Sequence, residues 1–417
     1  MGVPARTRLV LAGYGLTVFL SSAFLLVLEI VAGRLIAPYV GVSLYTWTSV
    51  IGVILAGLSL GNWIGGVWAD RGGSGRSAGW VLALGGVYCL LSLPLLDWLG
   101  GRLQSSGLDL LSSSFLFAGV LFFVPAVLLG VVTPLLTTLA LALDGRTGHV
   151  VGRMHALAAV GSIAGTFATG YWLVQYLGSR YVVLGVALGL MILAAPFLRR
   201  TRPLAGAALV VVFAAGAALP GLRQSLAGPC TEESSYFCIR VVDHSADAPF
   251  GEARGLVLDH LLHGINHAEV PGMLIASYTH GMDELVREHF GERYRTGLDW
   301  FFAGGGAYTQ PRATLATSPR SRITVAELDP QVTETARERL FLDTAGLRVV
   351  HDDARRVLAG QSGPFDVVVG DVFHDLAIPF HLVTREFAAL VRGRLAPDGL
   401  YIMNAVDAFP DPRLVRT

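Results

Sequence analysis

The chain has 417 residues, 53% of them hydrophobic and 15% charged, with a formal net charge of zero. That is too apolar and too poor in charge for a wholly water-soluble protein, and it suits a chain half embedded in lipid. Balanced charge without a long basic or acidic tail gives no reason to expect nucleic acid as a partner.

Arg6 and Arg8 precede a long apolar stretch with no small-residue cleavage site, which predicts a retained first span and not a removed signal peptide. Apolar segments of about 20 residues, the length that crosses a bilayer, fall at 9–28, 45–67, 78–99, 114–141, 155–176 and 180–197. A seventh, 203–222, is rich in Ala, Val and Gly between Pro203 and Pro220 and is the weakest. Residues 1–225 are therefore expected to form a transmembrane helical domain of six to seven spans, with Cys89 a small core residue inside one of them. The N-terminus and the loops near 71, 146 and 200 are the richer in Arg. The positive-inside rule makes them cytoplasmic in a multi-pass protein of the inner membrane. Glu29 and Arg34 stand at the end of the first span. Ionisable groups at that depth face a partner or a wet cavity, so the pair reads as a polar substrate path, an internal ion pair or side chains snorkelling to the interface.

From about 232 the pattern becomes that of a water-soluble α/β domain. Within 226–296, residues 236–242 and 255–259 fit a β-hairpin with a polar connection, followed by a helix over 277–290. Residues 297–417 then alternate. Strands are expected at 298–303, 323–328, 347–350, 365–370 and 400–404, and helices at 330–340, with proline in its first turn, and 379–395. A strand, a glycine turn, a helix and a strand ending in an acid make the doubly wound, Rossmann-like arrangement. The turn is Phe302-Ala303-Gly304-Gly305-Gly306-Ala307-Tyr308, where the glycines permit a sharp bend and close approach of a ligand. Glu327, at the tip of the second strand, can accept hydrogen bonds from ribose hydroxyls. Asp353 follows the third strand, where an adenine amino group is met, and Asp371 ends the fourth. Each acid taken singly could instead cap a helix or shape a turn. Together with Gly304, Gly305 and Gly306 they point to a cofactor site. His260, His263 and His267 match no strong zinc spacing, so no metal is expected.

These residues resemble the spermidine synthase (polyamine aminopropyltransferase) family, in particular its membrane-fused bacterial branch. The likeness lies in Glu29-Ile30-Val31-Ala32-Gly33-Arg34 with Tyr45-Thr46-Trp47 and in 303–312, with its Tyr-Thr and Pro-Arg pattern. It continues in Glu327-Leu328-Asp329-Pro330, in Asp353-Ala354-Arg355, and from Asp371 through Ala377-Ile378-Pro379-Phe380-His381-Leu382-Val383-Thr384. The resemblance implies a class I methyltransferase-type fold. It also implies transfer of an aminopropyl group from decarboxylated S-adenosylmethionine to a polyamine such as putrescine. On that reading Asp371 is the base or amine orienter, Asp375 the second acid of its loop, and Tyr278 lines the amine tunnel. Departures gather on the substrate side. The family's Asp-Gly is Asp259-His260 here, its following glutamine is His263, and its Tyr-His-Glu is Tyr278-Thr279-His280. His263 and His280 are thus the expected substrate-side residues, and the departures bear on putrescine more than on the adenosyl donor. The run from Gly65 to Gly73, with Asp70-Arg71, resembles the loop between the second and third helices of major-facilitator transporters, and it reads equally as a tight loop between packed helices.

Two alternatives remain open at this point. The same fold holds S-adenosylmethionine for methyl transfer, and a transporter-like bundle could carry a non-catalytic polyamine-binding domain. Folds of this class normally carry two further strands, so the chain reads as a truncated fragment or as a sheet with its edge otherwise covered. Cys230 and Cys238 are close enough to bridge, as an oxidising compartment would permit. Whether 203–222 spans decides the side on which the soluble domain lies, and the sequence leaves this open. It also leaves open the oligomeric state, a homo-oligomer included.

Overall fold

A computed structural model describes residues 4–198, 220–373 and 377–406. The chain divides into two units, Met1–Pro229 and Cys230–Thr417. The first is a helical bundle and the second a Rossmann-like α/β domain preceded by a small antiparallel sheet.

In the first unit the helices are α1 (Ala5–Val40), α2 (Leu44–Asp70), α3 (Gly75–Gln104), α4 (Leu110–Leu141) and α5 (Thr147–Ala168). A π-helical turn, Thr169–Leu173, leads from α5 into the short α6 (Val174–Leu177), and α7 (Ser179–Leu198) follows. Among the described residues six helices, counting α5 through α6 as one, are long and apolar enough to cross a membrane. Ser43 and Asp109 cap α2 and α4 by accepting from Thr46 N–H (3.2 Å) and Ser112 N–H (3.3 Å). Helix α1 runs past the expected end of the first span and through Pro38 to Val40. Glu29 and Arg34 therefore lie within the helix, half-buried, and not beyond its end. Most of the 203–222 segment lies outside the described residues. Its last residues belong to α8 (Pro220–Ala227).

These helices associate through close backbone packing at small residues. Gly57, Gly61 and Gly65 place α2 directly on Phe123, Val127, Gly130 and Val131 of α4. Gly161 and Gly165 of α5 rest on the Phe19 and Ala23 carbonyls of α1. At Gly61 an added methyl would collide with the Val127 carbonyl oxygen and stand 2.9 Å from the Gly130 Cα, both backbone. Gly61→Ala should therefore push α2 and α4 apart and cost about 1–3 kcal/mol. Thermal unfolding of the detergent-solubilised protein measures this, and an unchanged midpoint would contradict the tight contact.

The second unit opens with β1 (Glu232–Glu233), β2 (Cys238–Asp243), β3 (Ala253–Leu258) and β4 (Leu261–His267), antiparallel in the order β1-β2-β3-β4. A disulfide joins Cys230 to Cys238 at its start. Helices α9 (Ser277–Phe290) and α10 (Glu292–Thr296) lead to β5 (Asp299–Ala303), α11 (Thr309–Thr317), β6 (Arg322–Ala326), α12 (Pro330–Arg339), β7 (Leu347–Val350), α13 (Ala354–Ala359), β8 (Phe365–Gly370), α14 (Arg385–Arg394) and β9 (Leu395–Met403). The five later strands form a parallel sheet in the order β7-β6-β5-β8-β9. Alternation along the central strand β5 sends Trp300 and Phe302, stacked at 5.5 Å, into one core, and Phe301 and Ala303 into the other. Each such buried aromatic contributes about 1.5–3 kcal/mol. The strand order reverses between β5 and β8, and that crevice is where a doubly wound sheet takes its ligand.

The helix expected over 379–395 is two elements. A 3₁₀ turn, Phe380–Leu382, precedes α14, which begins after Thr384, whose hydroxyl accepts from Phe387 N–H (3.2 Å). The last strand begins at Leu395 and not at 400, because pairing with β8 shifts register where the Pro397-Asp398-Gly399 segment bulges out.

Candidate functional site

Strand β5 delivers the chain to Gly304 at the carboxyl end of the sheet. Gly304 has φ +89°, and a methyl there would lie 2.5 Å from the Asp371 carbonyl oxygen. Only glycine lets the turn settle against the end of β8. Two hydrogen bonds hold it: Gly304 N–H donates to the Ala326 carbonyl (2.9 Å), and Asp371 N–H donates to the Ala303 carbonyl (3.1 Å). Tyr308 takes the left-handed conformation at φ 57° just before α11. Its buried hydroxyl pairs with the Thr333 hydroxyl at 2.6 Å.

Glu327 lies buried under this turn. One carboxylate oxygen accepts from Gly305 N–H (2.8 Å) and Gly306 N–H (3.2 Å), and the other from Asp329 N–H (2.9 Å). Burial raises its pKa, opposed by those three N–H groups. A carboxylate has about four acceptor positions, so three are already committed. Accepting both hydroxyls of a ribose would require Glu327 to exchange at least one backbone partner.

Asp353 caps α13 through Arg356 N–H (3.1 Å), and its other oxygen pairs with His381 Nε2 (2.7 Å). Arg355 of the same helix donates to the His381 carbonyl (3.0 Å), so the segment after β8 is tied to α13 twice. Asp371 follows β8 with one oxygen accepting from Asn404 Nδ2 at 3.0 Å. Desolvation raises its pKa, and the Asn404 bond works against that rise. Beside it a small apolar pocket is lined by Ala303, Gly370, Val372, Ile378, Leu382 and Tyr401, among others.

Strand β4 and helix α9 supply the facing wall. His263 is half-buried, and its carbonyl oxygen would lie 3.5 Å from a methyl at Gly306. The Tyr278 hydroxyl donates to that carbonyl at 3.4 Å. Burial raises the Tyr278 pKa and the Asp371 charge adds to the rise, so the phenol is neutral at physiological pH and the two groups share one electrostatic environment. His280, two residues on, is carried about 200° around the helix and is exposed. Asp375 lies outside the described residues.

Residues that the sequence did not name as site residues bind this wall to the turn. Asn266 donates to the Ala307 (2.7 Å) and Leu340 (3.0 Å) carbonyls and accepts from the Thr309 hydroxyl (2.8 Å). Gln310 donates to the Thr279 carbonyl (2.8 Å), and Arg312 to those of His267 (2.8 Å) and Phe341 (3.0 Å). His267 is itself committed to structure, with Nε2 2.6 Å from the Phe250 carbonyl and Nδ1 accepting from Val270 N–H (3.1 Å).

No protein-family model matches the chain. It is 29% identical to "Polyamine aminopropyltransferase 2" of Streptomyces coelicolor over 98% of this chain and 76% of that protein. It is 34% identical to "Probable polyamine aminopropyl transferase" of Bifidobacterium longum, over 24% of this chain and 22% of that one. A "Polyamine aminopropyltransferase" of Mycobacterium tuberculosis is 35% identical over 26% of this chain and 23% of its own length. The match thus spans less than a quarter of the latter two relatives. Among solved structures, a probable spermidine synthase from Corynebacterium glutamicum superposes with a TM-score of 0.38 at 27% identity, over 41% of this chain and 61% of that one.

Proposed function

We propose that this chain, which belongs to the polyamine aminopropyltransferase (spermidine synthase) family, is a membrane-bound transferase. It moves an aminopropyl group from decarboxylated S-adenosylmethionine to a polyamine acceptor such as putrescine. The observation that carries this reading is the meeting, at one end of the parallel sheet, of the turn of Gly304, Gly305 and Gly306 with Glu327 and Asp371, faced by Tyr278. Identity of 29% to one named aminopropyltransferase over 98% of the chain supports it.

In such a transfer an unprotonated amine nitrogen attacks the carbon beside the sulfonium. The N–C bond forms, the C–S bond breaks with its electron pair returning to sulfur, and the new ammonium releases a proton. The protein's work is alignment, charge and proton removal. Asp371 is assigned the amine: its carboxylate orients the nitrogen and takes the proton, and desolvation makes it a stronger base than an exposed aspartate. The Tyr278 hydroxyl donates its hydrogen bond to the His263 carbonyl, which leaves its oxygen lone pairs for a substrate N–H. Glu327 is assigned the ribose hydroxyls, by exchanging a present partner, and Asp353 the adenine amino group. The glycine turn leaves the backbone open to the donor. His280 has no part in this reading.

Calorimetry on the full-length, detergent-solubilised protein tests it. Decarboxylated S-adenosylmethionine should bind at least about tenfold tighter, roughly 1.4 kcal/mol, than S-adenosylmethionine. The reverse order would favour methyl transfer. Binding of neither donor, with polyamine still bound, would leave a sensing domain without catalysis.

A further inference from the structure

We propose that the chain leaves the helical bundle on the membrane face opposite its N-terminus, so that the α/β unit works in the extracytoplasmic compartment. The inference goes beyond the proposed activity and does not rest on it.

Helices α3 and α7 run antiparallel along their whole length. Gly79 of α3 packs on Phe197 and Leu198, Gly86 on Ala187 and Met191, and Asp97 pairs with Arg180. Arg180 and Leu198 therefore mark opposite ends of the bundle. Tyr14 stacks on Phe197 at 6.1 Å, which puts Leu198 at the N-terminal end. Helix α7 has 20 residues, about 30 Å of rise, which matches the hydrocarbon thickness.

The chain is next described at α8, and it is then at the other end. Leu222 is buried in the bundle core. The Ser225 carbonyl accepts from Arg180 Nη1, and Gly228 packs on the Arg180 side chain. Leu198 thus lies at the end of the bundle that holds Tyr14, and α8 at the end opposite the start of α1.

Charge says which end is which. Arg6, Arg8, Arg71, Arg76, Arg146 and Arg153 belong to the N-terminal end. The opposite end carries fewer, Arg34, Arg102, Arg180 and Arg223, and Arg180 is neutralised by Asp97. The N-terminal end is then cytoplasmic. Exposed Tyr45, Trp98, Trp172, Tyr176 and Tyr181 ring the Arg180 end, as aromatic side chains do at a lipid–water boundary. An independent observation agrees: the first residue of the second unit, Cys230, is disulfide-bonded to Cys238, a bond that persists in oxidising compartments. If the proposed activity also holds, the donor's fixed sulfonium charge cannot cross lipid unaided. Supply of the donor, by a transport step, then becomes part of the reaction's requirement.

The test places one exposed thiol on each unit of the full-length protein in bacterial cells, with the native disulfide kept and Cys89 buried. Glu338→Cys lies on α12 and Thr147→Cys at the start of α5. In intact spheroplasts a membrane-impermeant maleimide should modify Glu338→Cys, and Thr147→Cys only after the membrane is opened. Modification of Glu338→Cys only after opening would overturn the proposal, as would the reverse pattern. Acid-quenched, alkylated cells should yield Cys230 and Cys238 as the disulfide, whereas recovery of both as alkylated thiols would count against an oxidising location. Donor binding by the same solubilised variants is measured separately, so failure of the activity reading leaves the labelling result standing.

Discussion

Asp371→Asn should lower turnover by about 10²–10⁴-fold, the usual contribution of a positioned proton acceptor, while the donor dissociation constant stays within about twofold. The substitution preserves size and leaves the Asp371 N–H to Ala303 carbonyl bond in place. The seat of the glycine turn is therefore kept. What is lost is the negative charge and one acceptor, and the new amide must also settle beside the Asn404 amide that donates to the native carboxylate. Stability should move the other way. The folded-state pKa of Asp371 is raised by desolvation, so its contribution to stability is fully present below the unfolded pKa and is lost as pH rises through the folded value. At neutral pH the buried charge is a burden that asparagine removes, and the melting temperature should hold or rise. Catalysis has the opposite dependence: the wild type should lose activity as pH falls through the raised pKa, above the ordinary aspartate range, and the variant should lack that acid limb. Paired measurements of turnover, donor affinity and melting temperature decide the matter. Unchanged turnover would remove Asp371 from the assigned role, and loss of donor binding together with melting temperature would assign it to structure.

The strands β7 and β8 were legible at their true bounds because short β-branched runs there end in turn residues. The turn of three glycines was legible because few other sequences bend so sharply after an apolar strand. Strand β4 was not. Its His263, Gly264, Asn266 and His267 break any alternation, and their polarity is satisfied by partners distant in sequence, such as Ala307, 41 residues from Asn266. The same limit applies to the candidate site. Residue type and position at strand ends were enough to name Glu327, Asp353 and Asp371. Their partners lie 22 residues away for Gly305, 28 for His381 and 33 for Asn404, beyond any local pattern. In the bundle, the order of the six described spans followed from composition, although α1 runs 36 residues where about 20 were expected. Arg180 is the first residue of the span expected at 180–197 and its neighbours in sequence name no partner, whereas the fold buries it and gives it Asp97, 83 residues earlier.

That pair carries the other large expected effect. Arg180 donates from Nη2 to Asp97 Oδ1 at 2.7 Å and from Nη1 to Oδ2 at 3.1 Å, and Tyr39 donates to the same Oδ1 at 3.1 Å. The guanidinium is buried, while the Asp97 side chain remains 36% exposed. Asp97→Ala removes the only carboxylate paired with Arg180 among the described residues and leaves a desolvated cation. It should destabilise the bundle by about 3 kcal/mol, the low end for a broken buried pair because water still reaches Asp97. Replacing both partners, as Asp97→Leu with Arg180→Met, removes the stranded charge and should recover most of that loss. It will not restore the bond to the Ser225 carbonyl, which only a donor at position 180 can make. Unfolding of the wild type, the two single variants and the double variant forms a thermodynamic cycle. A double variant no more stable than Asp97→Ala would show that the network's main work is holding α8, with charge balance secondary. A double variant near wild type would show that neutralising Arg180 is what Asp97 is for.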